Sequence, residues 1–165
     1  EQELIIADIG CGHGDILRDV AKFGRKNGYK MKLIGVDANP TAIAYANELS
    51  AEFPELSFKT EDIFSEKFKN RKFDVVLATL FLHHFKEGQL VSFLENTLKQ
   101  TKIAIVVNDL HRHKLAYYLF LFLAVFIKNN MIIEDGLTSV LRGFKRNDLE
   151  RISKKLKVKA LISWK

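Results

Sequence analysis

An apolar run that breaks into three glycines at alternate positions constrains this chain more than any other stretch. Leu4–Asp15 reads LIIADIGCGHGD, with Gly10, Gly12 and Gly14 closing the run and an amphipathic helical pattern behind it. A buried strand that turns through glycine into a helix is a nucleotide-handling device. The missing Cβ atoms let a ligand lie against bare backbone, and the helix start offers unpaired N–H groups.

Downstream, apolar runs and helical spacings alternate. Ile16–Phe23 has helical spacing, and Lys32–Asp37 (KLIGVD) reads as a second strand. Asn39-Pro40-Thr41 opens a helix, with Asn39 as the cap and Pro40 at the first helical position, and Pro54 ends it. Leu56–Glu61 alternates as an edge strand does, whereas Phe73–Thr79 (FDVVLAT) is continuous and apolar, as a strand covered on both faces should be. Glu87–Lys99 is a helix, Lys102–Val107 (KIAIVV) another buried strand, Asn147–Leu156 a short helix and Val158–Trp164 a final strand. This βαβαβ order predicts an α/β, Rossmann-like doubly wound fold: one mostly parallel sheet flanked by helices, in a single domain over 1–165. Its length supports a core without disulfides, and the single Cys11 excludes an intrachain one and suits a reducing cytoplasm. The first residues show no charged-then-apolar pattern, so secretion is not expected.

In such sheets ligands bind beyond the carboxyl ends of the strands. Those ends hold Gly10–Gly14, Asp37, Asp62, Thr79–His84 and Asn108–His113, where nearly all the polar and glycine punctuation falls. The dinucleotide fingerprint G-x-G-x-x-G fails in both registers: counted from Gly10 its third glycine is Asp15, and from Gly12 it is Leu17. A carboxylate at Asp15 also opposes a pyrophosphate on this helix start, so a ligand with a positive or zwitterionic end suits the loop better.

DIGCGHGD, GVDANP, TEDIF and FDVVLATLFLHHF, in this order and spacing from Ala7 to about Phe85, resemble the successive motifs of class I S-adenosylmethionine-dependent methyltransferases. NDLHRHKLAYY and DGLTSVLRGF resemble, less specifically, a bacterial subgroup of small-molecule methyltransferases assigned to polyketide or quinone-like acceptors. The resemblance implies S-adenosylmethionine as cofactor. Gly10, Cys11, Gly12 and Gly14 would cradle its methionine and ribose part, and Asp37, beside Ala38, would take the ribose hydroxyls. Asp62 would accept from the adenine amino group while Ile63 packs on the ring, and Asp8 and Thr79 would line the methionine end. The family's sheet normally closes with a two-strand hairpin, of which only Val158–Trp164 is present. Either the chain is trimmed or this last strand pairs directly with the fifth, and an apolar edge left open would invite a homodimer.

For an oxygen acceptor a base helps, and His is the side chain best matched to neutral pH. Four of the five histidines form two pairs at strand ends, His83/His84 and His111/His113. His111 and His113 are the base candidates, Arg112 an orienting cation for an anionic or phenolic acceptor, and His84 a structural residue. Capping of loop backbone by His111 or His113 is an equal alternative. A metal site is not expected, because no Cys or carboxylate completes a familiar ligand spacing. Leu115–Ile127 is uniformly apolar for thirteen residues, short of the roughly 20 that span a bilayer. It reads as a buried or oligomer-contact helix, an interfacial segment or an aromatic lid over an apolar acceptor.

The net charge of +6 is concentrated from Arg142 to Lys165, where nine Lys/Arg face two acids. Only Phe144 and Trp164 fall among these charges, so this reads as a solvated face rather than a nucleic-acid platform. The predicted activity is O-methylation of a small aromatic or polyketide/quinone-like acceptor. A nucleic-acid methyltransferase is the first alternative, against which ATLFLHHF stands in place of an N/D-P-P-Y/F motif. A non-catalytic or nicotinamide-binding module is the second, against which the glycine register stands.

Overall fold

The computed structural model describes residues 3–163. It divides into two compact units, one reaching to Phe81 and including Phe93–Asn108, the other comprising Leu82–Ser92 and the chain from Asp109 onward.

The first unit is the sheet with its helices. Strands β1 (Leu4–Ile9), β2 (Met31–Asp37), β3 (Leu56–Thr60), β4 (Phe73–Thr79) and β5 (Thr101–Asn108) lie in the order β3-β2-β1-β4-β5, and every pairing is parallel. The reversal of strand order at β1/β4 is the switch point the βαβ pattern predicts. β1 is central, with Ala7 and Ile9 fully buried, because a strand covered on both faces needs an unbroken apolar run. β3 is an outer strand, as its alternation predicts.

Helix α1 (Asp15–Asn27) turns Leu17, Ala21 and Gly24 inward and stops at Gly28, whose left-handed backbone satisfies the cap. Helix α2 (Pro40–Leu49) starts where predicted: Asn39 Oδ1 accepts the N–H groups of Thr41 and Ala42 at 2.9 and 3.3 Å. A single-turn helix α3 (Glu66–Lys69) precedes β4. The buried Asp74 of β4 accepts the Ile5 N–H at 2.8 Å and Lys102 Nζ at 3.1 Å, and these bonds, the backbone one first, hold its carboxyl below the usual range.

β5 corrects the expectation of a buried strand. Ile103, Val106 and Val107 are exposed on this outer strand, whose faces are left uncovered among the described residues. The expected final strand is also corrected: the chain beyond Leu156 forms no regular element up to residue 163, and Trp164 lies outside the described residues. Without a pairing partner the alternation of Val158 onward does not make a strand.

The second unit is helical. The predicted helix after β4 is α4 (Glu87–Gln100), of which Glu87–Ser92 belong here and Phe93–Gln100 to the first unit. Then come α5 (Lys114–Ala124), α6 (Asn130–Arg142) and α7 (Arg146–Leu156), the last close to its predicted span. The apolar Leu115–Ile127 stretch is helical only to Ala124, and it is not a buried helix, since Tyr118, Leu119, Phe122 and Leu123 are exposed. Helix α6 escapes a reading by pattern because Gly136 interrupts it; the Phe120 ring of α5 fills the space there, 2.2 Å from where a Cβ would sit. No helix among the described residues is long and apolar enough to cross a membrane.

Candidate functional site

The four adjacent strands β3, β2, β1 and β4 run the same way, so their carboxyl ends share one edge of the sheet. That edge collects Asp62, Asp37, the glycine loop and Thr79 as the sequence predicts.

Three backbone bonds set the loop. The N–H groups of Gly10 and Cys11 both donate to the Val36 carbonyl, at 2.8 and 3.2 Å, so β1 stays locked to β2 as it turns. The Gly14 N–H closes the turn on the Cys11 carbonyl at 2.9 Å. All three glycines have left-handed backbones, with φ of 73°, 51° and 78°, which favour a residue without Cβ. They do different things, however. A Cβ on Gly10 would lie 2.2 Å from the Phe81 ring, and one on Gly14 would lie 2.5 Å from Phe58. These two are glycine because the protein itself packs against them. Only Gly12 has open space where its Cβ would be, so bare backbone for a ligand is offered there alone.

Asp37 ties this loop to the end of β2. Its Oδ2 accepts the Gly12 N–H at 3.0 Å and its Oδ1 accepts the Asn39 N–H at 2.8 Å. Each oxygen keeps a further lone pair, so the carboxylate is oriented and still able to accept from a vicinal diol. Ala38, beside it, is exposed. Asp62 is exposed, and its Oδ1 accepts the Phe64 N–H at 2.9 Å, an Asx turn that fixes the chain beyond β3, with Ile63 half-buried between them. Thr79 is half-buried at the end of β4. Asp15 pairs with Arg18 and makes no cap bond to the helix.

Asp8 is the unusual member. It is only 2% exposed, and its Oδ1 has no hydrogen-bond partner. Burial, reinforced by the Asp37 charge, pushes its pKa up to about 7. The Cys11 thiol is pushed up to about 12, by burial first and then by Asp8 and Asp37, so it is an inert small residue rather than a nucleophile.

The second unit carries the two histidine pairs. His83 is buried, with its Nδ1 2.6 Å from Asp109 Oδ1. Asp109 also accepts the backbone N–H groups of Leu82, His83 and Leu110. The His84 ring lies 4.2 Å from that of His83 and is exposed. Desolvation and then the His83 charge lower its pKa, and Arg142 adds to this while Asp135 and Asp109 oppose it. His83, rather than His84, is therefore the packed member of the pair. Sequence reasoning passed over Asp109, although an acid at a strand end two residues before a His-rich loop was the available signal.

His111 and His113 are exposed, with ring centroids 5.3 Å apart. Their loop is held by Phe144, whose N–H donates to the Leu110 carbonyl at 2.7 Å and whose carbonyl accepts from the Arg112 N–H at 3.1 Å. Gly143 allows this approach, since a Cβ there would sit 2.6 Å from the Leu110 oxygen. His113 caps α5: its Nδ1 accepts the Leu115 N–H at 3.1 Å. Arg112 Nη2 donates to Asp148 at 2.6 Å. The basic α7 is partly neutralised where it stands, because Lys155 and Arg151 pair with Glu87 and Arg146 with Glu150.

A doubly wound parallel sheet with an acidic, glycine-lined edge at its switch point defines the class of nucleotide-type binders. The methyltransferase domain family matches residues 6–103, well over half of the chain. The chain belongs to this family, and its fold is that of the class I, S-adenosylmethionine-dependent methyltransferases. Among solved structures it is similar to the plantazolicin methyltransferase BpumL in complex with SAH (S-adenosylhomocysteine). Identity is 22% and the TM-score 0.69, over 93% of this chain and 55% of that one. BpumL with a pentazolic desmethylPZN analog and SAH superposes at a TM-score of 0.71 and the same 22% identity, over 93% and 56% of the two chains. The magnesium protoporphyrin IX methyltransferase of Synechocystis PCC 6803 with bound SAH gives 0.65 at 15% identity, over 93% and 64%. The chain thus spans about half the length of the plantazolicin enzymes it matches. No curated protein matches the sequence significantly.

The residues at the edge fit S-adenosylmethionine by their own chemistry. A buried carboxyl with an unanswered oxygen, a second carboxylate beside it and one open glycine suit a cationic ligand that carries a diol.

Proposed function

We propose that this chain binds S-adenosylmethionine along the carboxyl ends of β1–β4 and transfers its methyl group to a hydroxyl of a small aromatic or polyketide/quinone-like acceptor. The observation that carries the reading is the glycine loop held by Asp37 beside the buried acid Asp8. The similar solved structures include methyltransferases of a natural product and of a magnesium porphyrin, which supports a small-molecule acceptor.

When bound, the cofactor supplies a methyl group on a sulfonium, the electrophile of an in-line displacement. Asp37 holds the ribose hydroxyls with the lone pairs its backbone bonds leave over. Asp8 answers the positive end of the donor, with Gly10, Cys11, Gly12, Gly14 and Thr79 around the methionine part, and Ala38, Asp62 and Ile63 take the adenine side.

On the acceptor side His111 is the base. His113 spends its Nδ1 lone pair on the Leu115 N–H, so in the neutral ring the proton sits at Nε2. That makes His113 a donor, able to orient the acceptor oxygen while His111 removes its proton. Arg112, fixed by Asp148, places a positive charge between them in sequence, where a phenolate gains from it. The free Cys11 suits a reducing cytoplasm. A second copy pairing along the open edge of β5 would cover Ile103, Val106 and Val107.

Methyl transfer from radiolabelled S-adenosylmethionine to a panel of phenols and hydroxyquinones tests this. Product from the parent protein and a loss of roughly 100-fold in His111→Ala are expected. An undiminished rate in that variant would make the base assignment wrong. Calorimetry showing tight nicotinamide binding and no S-adenosylhomocysteine binding would remove the cofactor reading altogether.

A further inference from the structure

Asp8 has surroundings that a permanently charged carboxylate would not tolerate. It is 2% exposed with an unpartnered Oδ1, and among the described residues no Lys, Arg or His forms an ion pair with it. Each packed neighbour adds to the problem. β2 places Gly35 beside it and sends the Asp37 charge toward it, and β4 places Leu77. The loop contributes the Cys11 thiol, held neutral by the same burial. His13, the nearest imidazole in sequence, is exposed and stands edge-on to Tyr45 at 5.8 Å. An isolated buried charge costs several kcal/mol, and a carboxyl escapes that cost by keeping its proton.

We propose that Asp8 couples donor binding to a proton: it is a neutral carboxylic acid in the free protein and becomes the carboxylate that recognises the donor's positive charge. The proposal rests on the cofactor reading above and concerns the chemistry of that site. The balance is simple. The O–H bond of Asp8 breaks, its electron pair stays on the carboxylate, and the proton passes to solvent. What drives the step is the arrival of a cation in a place where Coulomb attraction is weakly screened. Asp8 is thereby a specificity-determining residue, since an uncharged nucleoside gives it no reason to ionise.

The sign of the pH dependence follows. If the bound form holds the proton less tightly than the free form, affinity rises with pH up to the free-state pKa and then levels off. With burial and Asp37 setting that pKa at about 7, binding at pH 7 releases roughly half a proton and is about fivefold tighter than at pH 6. The donor's ammonium stays charged across this interval.

Calorimetric titration of the whole chain with S-adenosylmethionine, in phosphate and in Tris at pH 7, reads the proton directly. Heats that differ by about half the ionisation enthalpy gap of the buffers are expected, and Asp8→Asn removes the difference while His13 remains. Carbon NMR of labelled aspartate carboxyls in the parent protein provides a readout that needs no variant. One resonance titrating near 7 in the free protein, and fully ionised at pH 6 with donor bound, is expected. Buffer-independent heats, or all aspartates titrating near 4 in the free protein, would overturn the proposal and leave the cofactor reading intact. No binding heat with either S-adenosylmethionine or S-adenosylhomocysteine would overturn both.

Discussion

In the sheet unit, Ala7, Ile9, Leu17, Leu33, Val36 and Val76 are all fully buried, and the loop they lead into is bonded at nearly every turn. In the helical unit, α6 buries no residue and α5 only Ala124, while Leu115, Phe122, Val125, Phe126 and Met131 are exposed. The difference has a physical root. A parallel strand receives neighbours on two sides and helices on two faces, so its side chains are enclosed by the fold that forms it. A helix is enclosed only on the face that something else covers. The sheet unit is therefore enclosed by its own fold. The helical half is tied at Asp109, which holds the backbone of Leu82, His83 and Leu110, and its helices carry apolar surface outward.

The largest expected effect tests that tie. Asp109→Ala leaves three backbone N–H groups and a buried imidazole without their acceptor, and a stability loss of about 4 kcal/mol in urea unfolding is expected. A loss below about 1 kcal/mol would mean that the helical unit has no fixed centre, and the contrast would be sharper than described.

Asp8→Asn probes the sheet unit in the opposite direction. The folded-state pKa of Asp8 is raised from 3.8 to about 7, so between these values the native state binds more protons than the unfolded one, and stability falls as pH rises through that window. Removing the acid relieves a penalty that is complete above pH 7. A gain of about 3 kcal/mol at pH 8, vanishing below pH 4, is expected from the same unfolding measurement.

Gly14→Ala and Gly136→Ala compare the units through one chemical change. At Gly14 the backbone is left-handed and a Cβ meets the Phe58 ring, so a loss of about 2 kcal/mol or more and loss of donor binding are expected. At Gly136 a Cβ meets the Phe120 ring, which can turn aside, and alanine favours a helix by about 1 kcal/mol, so the net change is expected to be small. Equal losses would break the comparison. The smallest effect belongs to Phe126→Ser on the exposed face, expected within about 0.5 kcal/mol; a loss of about 2 kcal/mol or more would show that this face is covered in solution.

Much of the sheet's carboxyl edge was legible because it is built from consecutive residues. Gly10–Gly14, Asp37, Asp62 and Thr79 each end or follow a strand that an apolar run or an alternation announces, and a parallel sheet brings those ends to one edge whatever the details. Asn39 and Pro40 announced α2 for the same local reason. Helix α6 was hidden by Gly136, and the exposure of β5 by an apolar sequence that suits a buried strand equally well. The pairing of His83 with Asp109 links residues 26 apart in sequence, and no spacing rule reaches that far.

The sequence by itself determined the βαβ order, the glycine turn and the acids at the strand ends, since each follows from local propensity and period. Only the tertiary structure decided what those residues do. It made Gly10 and Gly14 room for Phe81 and Phe58 and left Gly12 as the open position. It also enclosed Asp8 with Asp37 as the charge that faces it. Distance and dielectric set a carboxyl's proton affinity, and both come from which chain segments fold together, not from the order of residues along them.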